Sequence, residues 1–310
     1  MIFGKIAGVN KKISKLILGN ENQRKYSKAV ELWDYWFENG GNAFDNSMNY
    51  SEGKLEIFLG KWIKSRGVEN EIISITKAGN TNSEPSQLNN YINQSLERLK
   101  LKYLDIFILH HDNTEIPPGE YIDALNQLVD RGLIKSFGAS NWKMSRFQNS
   151  IDWAKKNNKI PFSLLNNNLS LAKMMQPLWT DSVSCNDDKY LNFLEKNNHA
   201  HLSWSCQARG FFINENIFKK FLRRKYLKYL KKCFNGTSNL NRKKRAEALA
   251  EKYNCTANDI ALSWVLNQSF PSFGIIGSKN IKHLKYSLKC LEIKLSENEL
   301  MWLNLKKEKL

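Results

Sequence analysis

The segment LDIFILHHDN, residues 104–113, decides how the rest of the chain is read. Its first six residues are mostly apolar and predict a buried strand. Two adjacent histidines and an aspartate follow, in a chain that holds only five histidines. They are ligands, catalysts or the polar end of a strand, and the flanking segments decide among these.

Working outward, strands and helices alternate. LILG (16–19) is strand-like and precedes a helical pattern at 27–39. NAFD (42–45) precedes a helix at 54–67 closed by glycine. EIISITK (71–77) precedes a helix at 86–100 whose Leu88, Ile92, Leu96 and Leu99 share one face. Beyond the strand at 104–110 come a helix at 120–132, a strand at 133–140, a helix at 143–157 and a strand at 162–166. A helix at 187–197, a strand at 201–205, helices at 242–253 and 257–267, a strand at 272–277 and a helix at 279–291 complete the series. Such alternation means parallel strands joined by crossover helices. Eight units in 310 residues predict an α/β fold of the TIM type, a single-domain (β/α)8 barrel with its site at the C-terminal strand ends. The barrel is expected to span 1–310, with a basic helical insertion at about 213–241. No GxGxxG and no GxxxxGK[ST] occurs, which argues against Rossmann and P-loop folds.

Composition narrows the function classes. Hydrophobic residues make up 42% of the chain, enough for a large core. The five cysteines include no CxxC pair, against both a disulfide framework and a cysteine zinc site. The N-terminus lacks a long apolar core, and no run reaches the ~18 apolar residues of a spanning helix. A cytoplasmic protein is expected. The formal net charge of +17 invites an anionic partner, yet lysines are scattered over almost every segment. A lysine-rich solvated surface accounts for that pattern without nucleic acid or membrane. The densest stretch, FKKFLRRKYLKYLKKCF (218–234), has apolar positions at helical spacing and reads as a helix laid on the protein body rather than on a bilayer.

In a barrel, chemistry sits where strands end. NAFD ends in Asp45, with Tyr50 in the next loop; IISITK ends in Lys77; LDIFILH ends in His110. Neighbouring strands lie about 5 Å apart, so these groups can converge. An ammonium beside a phenol is expected to lower its pKa from about 10. The aspartate keeps that ammonium charged and oriented. Such a tyrosine donates a proton to a carbonyl oxygen as it becomes an alkoxide. A neutral histidine can hydrogen-bond the same oxygen. The reaction that wants these parts is carbonyl reduction by an external hydride donor. Taken singly, the aspartate reads as a helix cap, the lysine as a surface amine and the histidine as a satisfied polar residue. A zinc site from His110 and His111 is disfavoured, because adjacent strand residues point to opposite faces.

These stretches resemble the aldo-keto reductase superfamily, in its bacterial-type branch, over essentially the whole chain. FDNSMNYSEGKLEIFLGKW (44–62) is similar to the family signature FDTAxxYGxGxSExxLGxxL. ITKAG, LDIFILHHDN, GASNW (138–142), WSCQARGFF (204–212) and IIGSKNIKHLKYSLKCLEIKLSENEL (275–300) follow in the family's order. The resemblance implies Tyr50 as general acid, Asp45 and Lys77 as its tuners, and His110 as the residue that positions the carbonyl. It implies Ser140, Asn141 and Asn166 at the nicotinamide amide and Trp204 on the ring. Ser205, Gln207 and Gly210 would lie along the pyrophosphate, with Ser278 and Lys279 near an adenosine 2′-phosphate. NADP(H) is therefore expected ahead of NAD(H), with no metal and with a small carbonyl or alcohol, sugar-like or otherwise, as substrate. Departures from the pattern include Asn166 for a glutamine, Trp204 for a tyrosine, and Tyr286 and Ser287 for Glu-Asn. They leave open a nucleotide-binding sensor on the same fold. Met48, Trp142, Trp179 and the loop 206–217 are candidate substrate walls, and Arg209 a candidate partner for an anionic substrate.

Overall fold

The computed structural model describes residues 1–213, 230 and 232–310. Most of the basic stretch 218–234 lies outside the described residues. Strands β3 (Leu16–Gly19), β4 (Ala43–Asp45), β5 (Ile73–Ala78), β6 (Leu104–Leu109), β7 (Ile134–Ser140), β8 (Leu164–Asn166), β9 (Ala200–Ser203) and β10 (Ser272–Ile276) form one closed barrel. Every neighbouring pair is parallel, and β10 closes the ring by pairing Ile275 with Ile17 of β3. The predicted (β/α)8 barrel is thus the observed fold.

Side-chain alternation sorts the strands into two layers. Ile17, Ala43, Ile73, Ile75, Ile106, Ile108, Leu164, Ala200, Leu202 and Phe273 fill the inside of the barrel as one apolar cluster. Leu16, Leu18, Phe44, Phe107, Leu109, Phe137 and Leu165 belong to a second cluster, shared with the helices outside. Those helices are α1 (Tyr26–Glu38), α2 (Lys54–Arg66), α3 (Leu88–Leu99), α4 (Pro118–Asp130), α5 (Met144–Lys156), α6 (Asp188–Asn197), α7 (Thr237–Lys252), α8 (Ala257–Leu266), α9 (Ile281–Lys289) and α10 (Glu297–Leu303). The predicted face of α3 is the buried one, with Leu88, Ile92, Leu96 and Leu99 all turned inward.

Three features were not expected from the sequence. Before the barrel, β1 (Phe3–Gly4) and β2 (Ile13–Ser14) pair antiparallel. They carry Ile6, Val9 and Ile13 into the inner cluster, against Phe273. A pair this short has no alternation to read, and tertiary contact alone defines it. Helix α7 starts at Thr237, five residues before the predicted 242, because Asn239 bridges Lys173 and Phe234 through its side-chain amide. Helix α10 is opened by a capping box in which Ser296 and Glu299 exchange hydrogen bonds.

Gly60 sits in mid-helix, where alanine is ordinarily better by about 1 kcal/mol. Here the backbone of α3 crosses so closely that an added Cβ would approach Leu99 Cα to 2.7 Å and press on the Arg98 carbonyl oxygen. Backbone cannot step aside as a side chain can, so the clash wins. Gly60→Ala is expected to destabilise the protein by roughly 1–3 kcal/mol, read as a lower urea midpoint at unchanged m-value.

Candidate active site

Strand parity decides what meets at the barrel mouth. Asp45 follows the inward Ala43, Lys77 follows the inward Ile73 and Ile75, and the position of His110 continues Ile106 and Ile108. The inward face of β4, β5 and β6 therefore ends in a carboxylate, an ammonium and an imidazole. Lys77 Nζ donates to the Asp45 carboxylate and to the Asn46 carbonyl oxygen at 3.1 Å. Both side chains are buried, each residue only 3% exposed. Burial pushes the Asp45 carboxyl above its usual range, and the Lys77 charge works against that rise.

Tyr50 hangs over this pair from the short turn Tyr50–Gly53. Its ring centroid lies 5.3 Å from Lys77 Nζ and 6.0 Å from the His110 ring, edge to face. Ser51, Glu52 and Gly53 follow with φ of 48°, 56° and 81°, a left-handed run that the surroundings must hold in place. Glu56 supplies part of that hold: fully buried, it accepts from Thr76 Oγ1 at 2.6 Å and from Arg98 Nη1 at 3.3 Å. It ties the start of α2 to β5 and α3. The expected lowering of the Tyr50 pKa is not found. Burial in the mouth, then the Asp45 and Glu21 charges, push the phenol well above 10. Desolvation of the phenolate is the largest cause, and the neighbouring carboxylates add to it.

His110 is held neutral. Burial comes first, then the Lys77 and His111 charges, and together they take its pKa well below 6.5. Its Nδ1 lies 3.0 Å from Ser47 Oγ. The opposite-face argument for His111 is overturned. Strand β6 ends at Leu109, so strand alternation does not turn His111 away from His110, and the two rings lie 4.6 Å apart at 30°. His111 Nδ1 pairs with the Asp181 carboxylate.

All of the predicted site residues line one cavity of about 1520 Å³. Its lining includes Asp45, Tyr50, Lys77 and His110, the group Ser140, Asn141, Asn166 and Trp204, the group Ser205, Gln207 and Gly210, and the pair Ser278 and Lys279. Asn141, at φ 60°, spends its amide on the protein: Nδ2 donates to His110 O and Ser140 Oγ, and Oδ1 accepts from the Val183 amide. Ser140 Oγ donates to Asn166 O at 2.7 Å, and Asn166 Nδ2 to Leu202 O at 2.6 Å. Asn166 Oδ1 is left buried with no hydrogen-bond partner among the described residues. The Trp204 ring leans on Trp179, centroids 5.5 Å apart, with the Arg209 guanidinium 5.6 Å from the Trp179 ring. Ser205, Ala208, Arg209 and Gly210 all take positive φ, which turns this loop sharply along the cavity floor.

Two candidate walls are withdrawn. Trp142 is fully buried among Tyr121, Phe162 and Arg146 and lines no part of the cavity. Met48 packs against the helix-side cluster. Glu21, Asn22, Lys282, His283 and the turn Cys255–Asp259 line the cavity although the sequence reading passed over them. Glu21 and Asn22 were findable, since they directly follow β3 and the strand-end rule applies to it as to the next three. Lys282 lies one turn beyond Ser278, at the start of α9, where an anion gains from helix N–H groups.

A parallel barrel with an acid, an amine, a phenol and an imidazole at one rim defines a class of barrel oxidoreductases. A model of the aldo/keto reductase family matches residues 15–304, and the chain belongs to that family. Similar proteins include a probable aryl-alcohol dehydrogenase of Saccharomyces cerevisiae, 25% identical over 92% of this chain and 88% of its own. Another is probable aldo-keto reductase 1 of Glycine max, 26% identical over 88% of this chain and 77% of its own. Among solved structures, a thermostable aldo-keto reductase in complex with the inhibitor epalrestat superposes with a TM-score of 0.77, at 23% identity, over 99% of this chain and 100% of that one. The glycerol dehydrogenase of Gluconobacter oxydans reaches a TM-score of 0.78 at 20% identity, over 97% and 94%. The chain is an oxidoreductase of a family that works with nicotinamide cofactors.

The depressed histidines set an acid limit on stability. An unfolded imidazole takes up its proton near pH 6.5, whereas His110 and the fully buried His201, lowered to about 3, resist it. Below pH 6.5 the unfolded chain binds protons that the folded chain does not, so stability falls with falling pH, by up to about 1.4 kcal/mol per pH unit for each such group. The urea midpoint is expected to drop between pH 7 and pH 5, and the drop to be shallower in His110→Gln.

Proposed function

We propose that the chain reduces small aldehydes or ketones to alcohols, or runs the reverse, with NADP(H) preferred over NAD(H). The observation that carries this reading is the convergence of Tyr50, Lys77, Asp45 and His110 on a cavity that Lys279 and Lys282 also line. Trp204 would hold a nicotinamide ring, and that cofactor would supply or take up the hydride. Tyr50 remains protonated in its half-buried setting and passes its Oη proton to the substrate oxygen as that oxygen becomes an alkoxide. Lys77, fixed by Asp45, is the ammonium nearest the ring and steadies the phenolate left behind. His110, neutral, orients the substrate by a hydrogen bond.

The remaining cavity residues suit a dinucleotide. The orphaned Asn166 Oδ1 is an acceptor that an amide N–H would satisfy, which supports a carboxamide there beside Ser140 and Asn141. Ser205, Gln207 and Gly210 border the path of a pyrophosphate. Ser278 and Lys279, with Lys282 on the same helix start, favour an added phosphate and hence NADP(H). Tyr286 and Ser287 line the same end in place of the family's usual pair. The tryptophans and Arg209 on the cavity wall accept a compact carbonyl compound, and the yeast relative's name points to aryl alcohols. Free cysteines at all five positions support a reducing, cytoplasmic setting.

Titration with NADPH and NADH, followed by tryptophan fluorescence, tests the cofactor reading. NADPH is expected to quench at lower concentration, and Lys279→Ala to weaken NADPH binding roughly tenfold with little effect on NADH. Equal affinity for the two nucleotides would end the preference for NADP(H). With a panel of aldehydes, Tyr50→Phe is expected to lose about 10²–10⁴-fold in kcat while keeping nucleotide binding. Retained turnover in that variant would remove Tyr50 from the role of general acid.

A further inference from the structure

The reading above leaves one contact of His110 unused. Ser47 stands where the family signature FDTAxxY carries alanine, a residue with no hydroxyl. Ser47 Oγ is fully buried and touches three partners. It donates its single proton to the Lys77 carbonyl oxygen at 3.0 Å. It accepts from the Asn49 amide at 3.1 Å. The third partner is His110 Nδ1, at 3.0 Å. A hydroxyl has one proton and two lone pairs. With the proton on Lys77 O and one lone pair on the Asn49 amide, the remaining lone pair faces Nδ1. The set closes when Nδ1 carries the imidazole proton. The opposite tautomer would put two lone pairs against each other, or strip the Lys77 carbonyl of its hydroxyl donor.

We infer that Ser47 fixes His110 as the Nδ1–H tautomer, so that its cavity-facing Nε2 accepts a hydrogen bond, and that the substrate carries a hydroxyl beside the carbonyl. This rests on the reductase reading for the identity of the reacting group. A neutral imidazole with Nδ1–H has only a lone pair at Nε2. Among the described residues Nε2 takes no hydrogen bond, and His110 lines the cavity beside Tyr50. Tyr50 is then the sole donor of that pair to the carbonyl oxygen. An acceptor next to it repels a bare carbonyl but receives the O–H of a neighbouring carbon. His110 thus changes from a donor to the carbonyl into a reader of the adjacent hydroxyl, and Ser47 is the residue that positions it.

Imidazole ¹⁵N spectra of the full chain labelled at histidine decide the tautomer without turnover, with His110→Gln to assign the resonance. A protonated Nδ1 and an unprotonated Nε2 are expected in the native protein, moving to the opposite pattern or a mixture in Ser47→Ala. An Nε2–H pattern in the native protein, or no change in the variant, overturns the assignment to Ser47. If Ser47→Ala does not fold, Ser47→Cys replaces it as a weaker acceptor of similar size. In kinetics, glyceraldehyde against propanal probes the hydroxyl. The ratio of their kcat/KM values is expected to fall about tenfold in Ser47→Ala and to recover in Ser47→Thr. An unchanged ratio overturns the hydroxyl-bearing substrate. Failure to turn over either aldehyde would sink the reductase reading, while the spectra would still settle the tautomer.

Discussion

An ammonium and a carboxylate buried side by side at the ends of two neighbouring strands set the terms for everything at the barrel mouth. Neither Lys77 nor Asp45 could stay charged there alone, because an unpaired ion in a dry site is expensive. Paired, they require that β4 and β5 stay in register, since Asp45 lies opposite Ile75 and Lys77 reaches back two residues further along β5. Beside the pair, burial and then the Asp45 charge push the phenol in the same direction, upward. A tyrosine that keeps its proton is the form a carbonyl reductase needs before hydride arrives.

Around that pair the molecule divides labour by depth. Inside the barrel, branched aliphatic residues and Phe273 fill the axis, and the N-terminal hairpin packs onto them. At the opposite end, parity gives way to polar side chains, and loops supply the rest. The strained turn Ser51–Gly53 directly follows the cavity residue Tyr50, and the positive-φ residues Asn141, Ser205, Arg209 and Gly210 line the cavity themselves. Such backbone conformations persist where surrounding contacts over-determine them. Buried Glu56, held by Thr76 and Arg98, is one of those contacts for the Tyr50 turn. The same cavity is lined by Asp45 and Tyr50 and by Lys279 and Lys282.

Much of this was legible in the chain. Alternating apolar runs and helical periodicities fixed the number of units, because a buried parallel strand and an amphipathic helix have distinct periods. The same alternation gave the site, since Asp45 and Lys77 take inward positions near the ends of their strands and His110 continues that parity one residue past β6. Glu21 and Asn22 were equally open to that rule, though β3 ends in glycine and gave no titratable side chain at its last position. Other features had no local signal. Trp142 follows a motif tied to the cofactor, yet its ring turns away into a cluster with Phe162 and Tyr121. Which way a large aromatic points after a strand end depends on the space left by distant helices.

The sequence by itself determined the barrel, its strand ends and the residue types gathered there, because periodicity and strand parity are properties of consecutive residues. Only the tertiary structure decided the charge states and the orientations. The Tyr50 phenol rises in pKa, His110 stays neutral and stacks on His111, and Ser47 meets Nδ1. Those outcomes depend on how far water is excluded and on which lone pair faces which proton. Both are set by groups many residues apart, brought together when the barrel closes.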